Sequence, residues 1–325
     1  MPLPICKPSI ISYLHHANPL AILETDQRPR HFLINQFLQL HARPHHAPGL
    51  KPGVIVDFYS YDGMYPRLPF LSHSWLSAPM LQCLGGNLIE QVCALLDAGN
   101  YVEILVDEFY VPDRIAYRNF HFPHQNLLYG YDKAARQFYT QAFDAKWVFK
   151  KLTLSFEDLL EGFGPGCGLA IINWSDAHEY SNSQVFSTTI VRTYLQDFIA
   201  ARTSFVSYRP VDAHYGTDCY RVALAMLDGV RGDQIDIRAW CVFYEHKQKL
   251  VNLYQYLLEQ QKIHFNDVLF GDLKWLANDF MTIRNHILEA KLSDDTVDIT
   301  LLWDNLDALS RQENGLIADV LSALA

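Results

Sequence analysis

The sequence predicts an α+β chain in two parts, on three observations. Between Tyr101 and Phe149, short β-branched and aromatic runs, Val102–Val106, Asn126–Tyr131 and Gln137–Phe143, are broken by turn signals such as Tyr131-Asp132-Lys133. Their length and content suit strands better than helices. From Ser183 onward, apolar residues recur at helical spacing. Between the two lies GFGPGCG, Gly162–Gly168. It lacks the Lys-Ser/Thr ending of one nucleotide-binding loop and the glycine period of the other, so it reads as a flexible linker. The division that follows is an α+β domain over 1–165 and a mostly helical domain over 166–325.

Residues 7–12 read as an entry strand or coil. Asn18 or His16 is a candidate cap for a helix through Leu20, Ile22 and Leu23. A second helix is expected over His31–Leu40, with Leu33, Ile34, Phe37 and Leu38 on its apolar side. Ala42–Gly53 is a Pro- and His-rich loop, and Gly53–Tyr59 a strand. Tyr61–Leu76, aromatic and interrupted by proline, reads as a loop that lines or covers something. Asn87–Asp97 is amphipathic, through Leu88, Ile89, Val92, Leu95 and Leu96, and ends at Gly99. A short helix starts at Phe156, with Ser155 as its cap. The second half offers helices within 183–205, 214–227, 237–260 and 275–289, and one or two more over 297–324.

Composition bounds the function. The chain has 325 residues, half of them hydrophobic, and a formal charge of −10. It can build sizeable cores, and nucleic acid is not an expected partner. No apolar run is long enough to span a membrane, and the N-terminus lacks the pattern of a signal peptide, so a cytoplasmic protein is expected. Six cysteines, Cys6, Cys83, Cys93, Cys167, Cys219 and Cys241, are widely spaced without a CxxC pair, which reads as free thiols.

The chemistry concentrates in Asp107–His124, which holds Asp107, Glu108, Tyr110, Arg114, Tyr117, His121 and His124. His124 precedes one strand and Asp144 follows the next. In an antiparallel pair the two can lie side by side, so that the carboxylate fixes the imidazole tautomer. The same pair could equally be a local bond that secures a hairpin. His121 with Asp107 and Glu108 does not converge clearly enough to predict a metal site, and His41, His45 and His46 lack acidic or cysteine ligands nearby. In the helical half, Arg284 and Lys291 share a helix face, as do Arg238 and Glu245. Ion pairing around a core is the plain reading of both; an anionic or acyl-carrier contact through Arg284 and Lys291 is the sharper one.

The segment HxxLLYGYD followed by Asp144 resembles the His/Asp half of papain-like cysteine peptidases of the bacteriocin-processing type. VDEFYVPDRIAYRNFHFPHQNLLYGYD more closely resembles the branch related to the butirosin-biosynthesis acyltransferase. HYGTDCYRVALAML, IDIRAWCVFYEHKQKL and IRNHILEAKL resemble the helical domain of members encoded beside nonribosomal peptide and polyketide synthases. The resemblance implies a papain-like first domain, His124 as general base and Asp144 as its orienting residue. It also implies processing of an acyl or aminoacyl thioester: transfer, release or cyclisation. The expected partner is an acyl or peptidyl carrier protein, which would itself hold the phosphopantetheine, or its small-molecule product; no cofactor is expected on this chain, and a homodimer is compatible.

The family's nucleophile is a cysteine at the start of an N-terminal helix. The corresponding stretch here, SYLHHANPLAILE, has none. The expected catalytic set is therefore His124, Asp144 and His16, acting by acid–base chemistry without a covalent intermediate. Cys6 or Ser12 is a substitute nucleophile to be tested. An enzyme should show a deep pocket ending at His124, lined by Tyr59, Tyr61, Tyr110 and Tyr117, with Glu108, Arg114 and His121 also binding substrate. A non-catalytic carrier-binding partner of a synthase is the alternative.

Overall fold

A computed structural model describes residues 2–45, 53–59, 70–175, 186–205 and 212–324. The chain begins with α1 (Leu14–Leu23) and α2 (Arg30–Ile34), then β1 (Leu40–His45), β2 (Gly53–Phe58) and β3 (Leu71–Ser77). Helices α3 (Ala78–Leu84) and α4 (Leu88–Asp97) lead into β4 (Tyr101–Asp107), β5 (Pro123–Asp132), β6 (Gln137–Phe143) and β7 (Phe149–Ser155). Then come α5 (Phe156–Gly162), β8 (Gly168–Trp174), α6 (Thr188–Ile199), β9 (His214–Tyr215) and α7 (Asp218–Ala225). The helices α8 (Arg238–Glu259), α9 (Asp267–Leu292) and α10 (Ile299–Ala323) finish it. A mixed α+β region is thus followed by a mostly helical one.

Two compact units form, each from two chain segments: Met1–Pro29 with Met64–Ser183, and Arg30–Gly63 with Gln184–Ala325. This differs from a single cut at 165. The linker expected at Gly162–Gly168 is a short connection within the first unit, from the end of α5 at Gly162 to β8, which starts at Gly168 and is paired on both sides, with β3 and with β4. The expected helix to Leu40 stops at Ile34, and the Pro/His-rich stretch opens as β1, paired antiparallel with β2. Pro44 fits there because β9 pairs with β1 only at His41 and Ala42, leaving no ladder bond on that side for Pro44 to donate. The expected loop Tyr61–Leu76 contains the start of β3; its residues up to 69 lie outside the described ones.

The first unit is built on an antiparallel six-stranded sheet, ordered β3-β8-β4-β5-β6-β7. Val102, Ile104 and Val106 alternate along β4 and face a core shared with Leu128, Phe138, Leu154 and Leu169. Ile89, Val92 and Leu96 of α4, and Phe156 and Leu159 of α5, close that core. Both helices are capped, α5 by the expected Ser155: Asn87 Oδ1 accepts from Ile89 N at 2.8 Å, and Ser155 Oγ from Asp158 N at 2.9 Å. Glu103 alternates with the core residues and points the other way, toward α1, where Asn18 Nδ2 donates to its Oε2 at 2.7 Å. Leu3 N donates to Tyr129 O at 2.6 Å, and this close approach needs Gly130, since a Cβ there would lie 2.7 Å from Pro2 Cα.

The second unit combines the sheet β2-β1-β9 with α2 and α6–α10. Its most buried polar cluster lies on α8. Lys247, wholly buried, pairs with Glu313 of α10 and donates to Tyr220 Oη at 2.5 Å and to His246 Nδ1 at 2.8 Å. Tyr220 in turn donates to Glu313 Oε2 at 2.5 Å. His246 is left to donate from Nε2 to Leu38 O at 3.0 Å. Burial, reinforced by the Lys247 charge, holds the His246 pKa well below its ordinary value.

The unfolded chain therefore takes up a proton near pH ~6.5 that the folded unit refuses, so stability should fall as pH drops below that point. The expected slope is about 1.4 kcal/mol per pH unit. Urea unfolding monitored between about pH 7 and about pH 5 measures it, and the slope should flatten in His246→Gln. An unchanged slope in that variant would remove His246 as the cause.

Candidate functional site

The chain leaves β4 at Asp107 and turns at once through a one-turn 3₁₀ helix, Glu108–Tyr110. It returns as β5, whose register sets His124 opposite Val106 and Asn126 opposite Ile104. Glu108 N donates to Phe122 O at 2.9 Å, which draws the start of the loop to its end. Two adjacent acidic residues thereby meet two nearby histidines.

Asp107 Oδ2 lies 2.6 Å from His121 Nδ1, while its Oδ1 accepts from Phe122 N at 2.8 Å and Phe109 N at 3.1 Å. Burial acts to raise the Asp107 pKa, but the His121 bond and the two backbone N–H groups outweigh it and hold the carboxylate below its usual range. His121 is largely exposed and stacks on Phe109 with ring centroids 4.5 Å apart.

Glu108 Oε1 lies 3.2 Å from His124 Nδ1 and 3.6 Å from Arg114 Nε. Glu108 and Arg114 are buried, whereas the His124 side chain is 29% exposed. Arg114 is fixed by two further bonds, Nη1 to Phe143 O at 2.7 Å and Nη2 to Asn126 Oδ1 at 2.8 Å. Its Nε makes no hydrogen bond among the described residues, so Arg114 meets Glu108 as an ion pair alone. With Nδ1–H donated to Glu108, the Nε2 lone pair of His124 meets no hydrogen-bond partner among the described residues. Phe122 packs on the imidazole with centroids 4.7 Å apart.

Asp144 does not orient His124. Its Oδ1 accepts from Lys146 N at 2.8 Å and Val148 N at 2.9 Å, and its Oδ2 meets Lys150 Nζ at 2.7 Å. The Lys150 bond first, then these backbone bonds, hold its pKa down at about 2. Asp144 is a turn residue between β6 and β7, and the carboxylate beside the His124 ring is Glu108. His16 is buried within α1, its ring centroid 4.2 Å from that of His15. Cys6 is no activated thiolate: burial, then the Glu24 charge, pushes its thiol up, and its Sγ lies 3.8 Å from Leu20 O.

The expected aromatic lining is dispersed. Tyr59 is a buried core residue of the helical unit, edge-on to Tyr215 at 5.4 Å and to His41 at 5.7 Å. Tyr61 lies outside the described residues. Tyr110 and Tyr117 both receive the Arg118 guanidinium, at 5.6 and 5.5 Å. Of the two basic residues expected to meet an anionic partner, Lys291 is buried and donates to Ile235 O at 2.9 Å, while Arg284 is half-buried and lies over the Tyr244 ring at 4.9 Å.

Sequence reasoning missed Asn126, which anchors Arg114, and Glu103, whose carboxyl is pushed up by burial against the opposing pull of Asn18 and of the His15 and His124 charges. An asparagine inside the apolar run NLLY was the available signal for the first, and a glutamate inside YVEILV for the second. No protein-family model matches the chain, and no curated protein is significantly similar to it.

Proposed function

We propose that the α+β unit performs general acid–base chemistry at His124, oriented by Glu108, on an acyl or aminoacyl group that a carrier protein holds as a thioester. One observation carries the reading: a buried carboxylate, ion-paired with the buried Arg114, faces the Nδ1 of a partly exposed histidine. The substrate class rests on the resemblance to synthase-associated acyltransferases, and with it a cytoplasmic setting and a papain-like ancestry.

The chemistry needs no nucleophile from the protein. His124 Nε2 takes a proton from an amine as the amine attacks the thioester carbonyl. The C–N bond forms, the C–S bond breaks, and the imidazolium returns the proton to the leaving thiolate. Glu108 stabilises the imidazolium in between. This path suits an α1 without cysteine and a Cys6 thiol disfavoured by burial.

A second reading has its own support. The cleft of about 350 Å³ in the α+β unit includes Arg114 but not His124 among its lining residues, as suits a protein that binds its partner without transforming it. Intact-mass spectrometry of an aminoacyl-loaded carrier protein, with an amine acceptor and with or without this protein, separates the two. Loss of the carrier-bound mass that disappears in His124→Ala supports the enzyme. Carrier binding with no mass change in either protein overturns it in favour of the accessory role. A mass gain on this protein would send the chemistry back to Cys6.

A further inference from the structure

The cleft just mentioned belongs to the α+β unit alone and is lined by Pro112, Asp113, Arg114, Tyr129, Tyr139, Lys151, Leu152 and Thr153. Its floor follows from the pleat. Phe138 and Leu154 face the apolar core, so their neighbours Tyr139 and Thr153, paired across β6 and β7, point away from it, as does Lys151 two residues earlier. A register shift between Leu128 and Gly130 sets Tyr129 out of the β5 ladder and beside Tyr139, with ring centroids 6.1 Å apart. The volume of about 350 Å³ is at the small end for a ligand site and suits a molecule of amino-acid or dipeptide size.

Its charges are arranged for an occupant that carries both signs. Lys151 Nζ lies 5.7 Å from the Tyr129 ring centroid and has no ion pair or hydrogen bond among the described residues. The Asp113 carboxylate likewise has no ion pair or hydrogen bond among them, although its backbone is fixed by Ala145 N donating to Asp113 O at 2.7 Å. The third charge, Arg114, is already committed to Glu108, Asn126 and Phe143. Tyr129 stays a neutral phenol, since burial and then the neighbouring Tyr139 push its pKa up. One uncommitted cation, Lys151, one anion and two aromatic rings thus border a single small cleft, with Arg114 as a second cation already engaged.

We propose that this cleft binds a free α-amino acid with an apolar or aromatic side chain. Lys151 takes the ligand carboxylate, Asp113 takes its ammonium, and the rings of Tyr129 and Tyr139 take its side chain. Because the site does not include His124, the proposal stands whether or not the thioester reading does.

Isothermal titration of the full chain with L-phenylalanine tests it, with 3-phenylpropionate, phenethylamine and N-acetylphenylalanine amide as probes lacking one or both charges. L-Phenylalanine should bind, and each of the three probes should bind at least about tenfold more weakly. Lys151→Met and Asp113→Asn, both at exposed positions, should each weaken L-phenylalanine by about tenfold or more, and Tyr139→Ala should do the same. No heat of binding, equal binding of the uncharged amide, or unchanged affinity in both charge variants would each overturn the proposal.

Discussion

His124→Ala is expected to lower turnover of a carrier-bound thioester by about 10²–10⁴-fold, the span that a positioned acid–base group contributes. The unfolding midpoint should barely move. The imidazole is partly open to water, and its loss leaves Glu108 still paired with Arg114. Glu108→Gln should differ in kind. It removes the charge that stabilises the imidazolium, so turnover falls over a similar range, but it also leaves the Arg114 guanidinium buried without its counter-charge. A loss of stability of about 3–5 kcal/mol should therefore accompany the loss of activity. Turnover and urea unfolding measured on both variants check the contrast. Equal stability losses would mean that Glu108 does not neutralise Arg114, and undiminished turnover in His124→Ala would end the catalytic reading.

Lys247→Met is expected to destabilise the helical unit by about 3–5 kcal/mol, because it strands the Glu313 carboxylate in an interior closed to water. The methionine fills much of the volume and keeps contact with Phe198, Tyr220 and Phe280, whose ring centroids lie 5.1, 5.1 and 4.6 Å from the ammonium. The penalty is thus one of charge and not of a cavity. Adding Glu313→Leu should recover most of the loss, since a buried ion pair replaced by apolar groups of similar size is often neutral. Urea unfolding of the single and double variants decides it. A double variant as unstable as the single one would show that Tyr220 and His246 depend on the pair for their own hydrogen bonds.

The long helices of the second unit were legible in kind because their signal is local, although α9 starts at Asp267, eight residues before the expected start. Trp240, Phe243, Leu250, Leu253, Tyr254 and Leu257 repeat with the helical period, and Arg238–Glu259 follows within a residue or two of expectation. The hairpin of β5 and β6 was legible for the same reason, with alternation closed by an Asp-bearing turn. What escaped depends on distant partners. Gly168–Trp174 follows a glycine-rich stretch and becomes a strand because β3 and β4, far earlier in the chain, offer it both edges. Leu40–His45 carries a proline that suits a loop equally well until β2 pairs with it.

At the candidate site, His124 and Glu108 were both singled out, but Glu108 was expected to bind substrate, and the place beside His124 went by resemblance to a downstream aspartate. Asp144 has the sequence position of an orienting residue. It spends its oxygens on its own turn and on Lys150, which only the local backbone geometry reveals. Glu108 reaches His124 because β4 and β5 are joined by a loop that closes on itself through Phe122, sixteen residues notwithstanding.

The division of the chain into two interleaved units has a consequence for how the protein is made. The α+β unit has all of its segments once Ser183 has been synthesised. The β1–β2 hairpin emerges before most of that unit, yet its partners α7 and α8, and the strand β9, follow only after Gln184. At ordinary rates of synthesis the wait is on the order of ten seconds. During it, Leu40, Ala42, Val56 and Phe58, all buried in the finished fold, have only the short stretch before them, such as Phe37 against Phe58, from their own unit to pack against. The nascent chain is thus most open to chaperone capture, and to pairing with a neighbouring nascent copy, at this hairpin, long before the last helix appears.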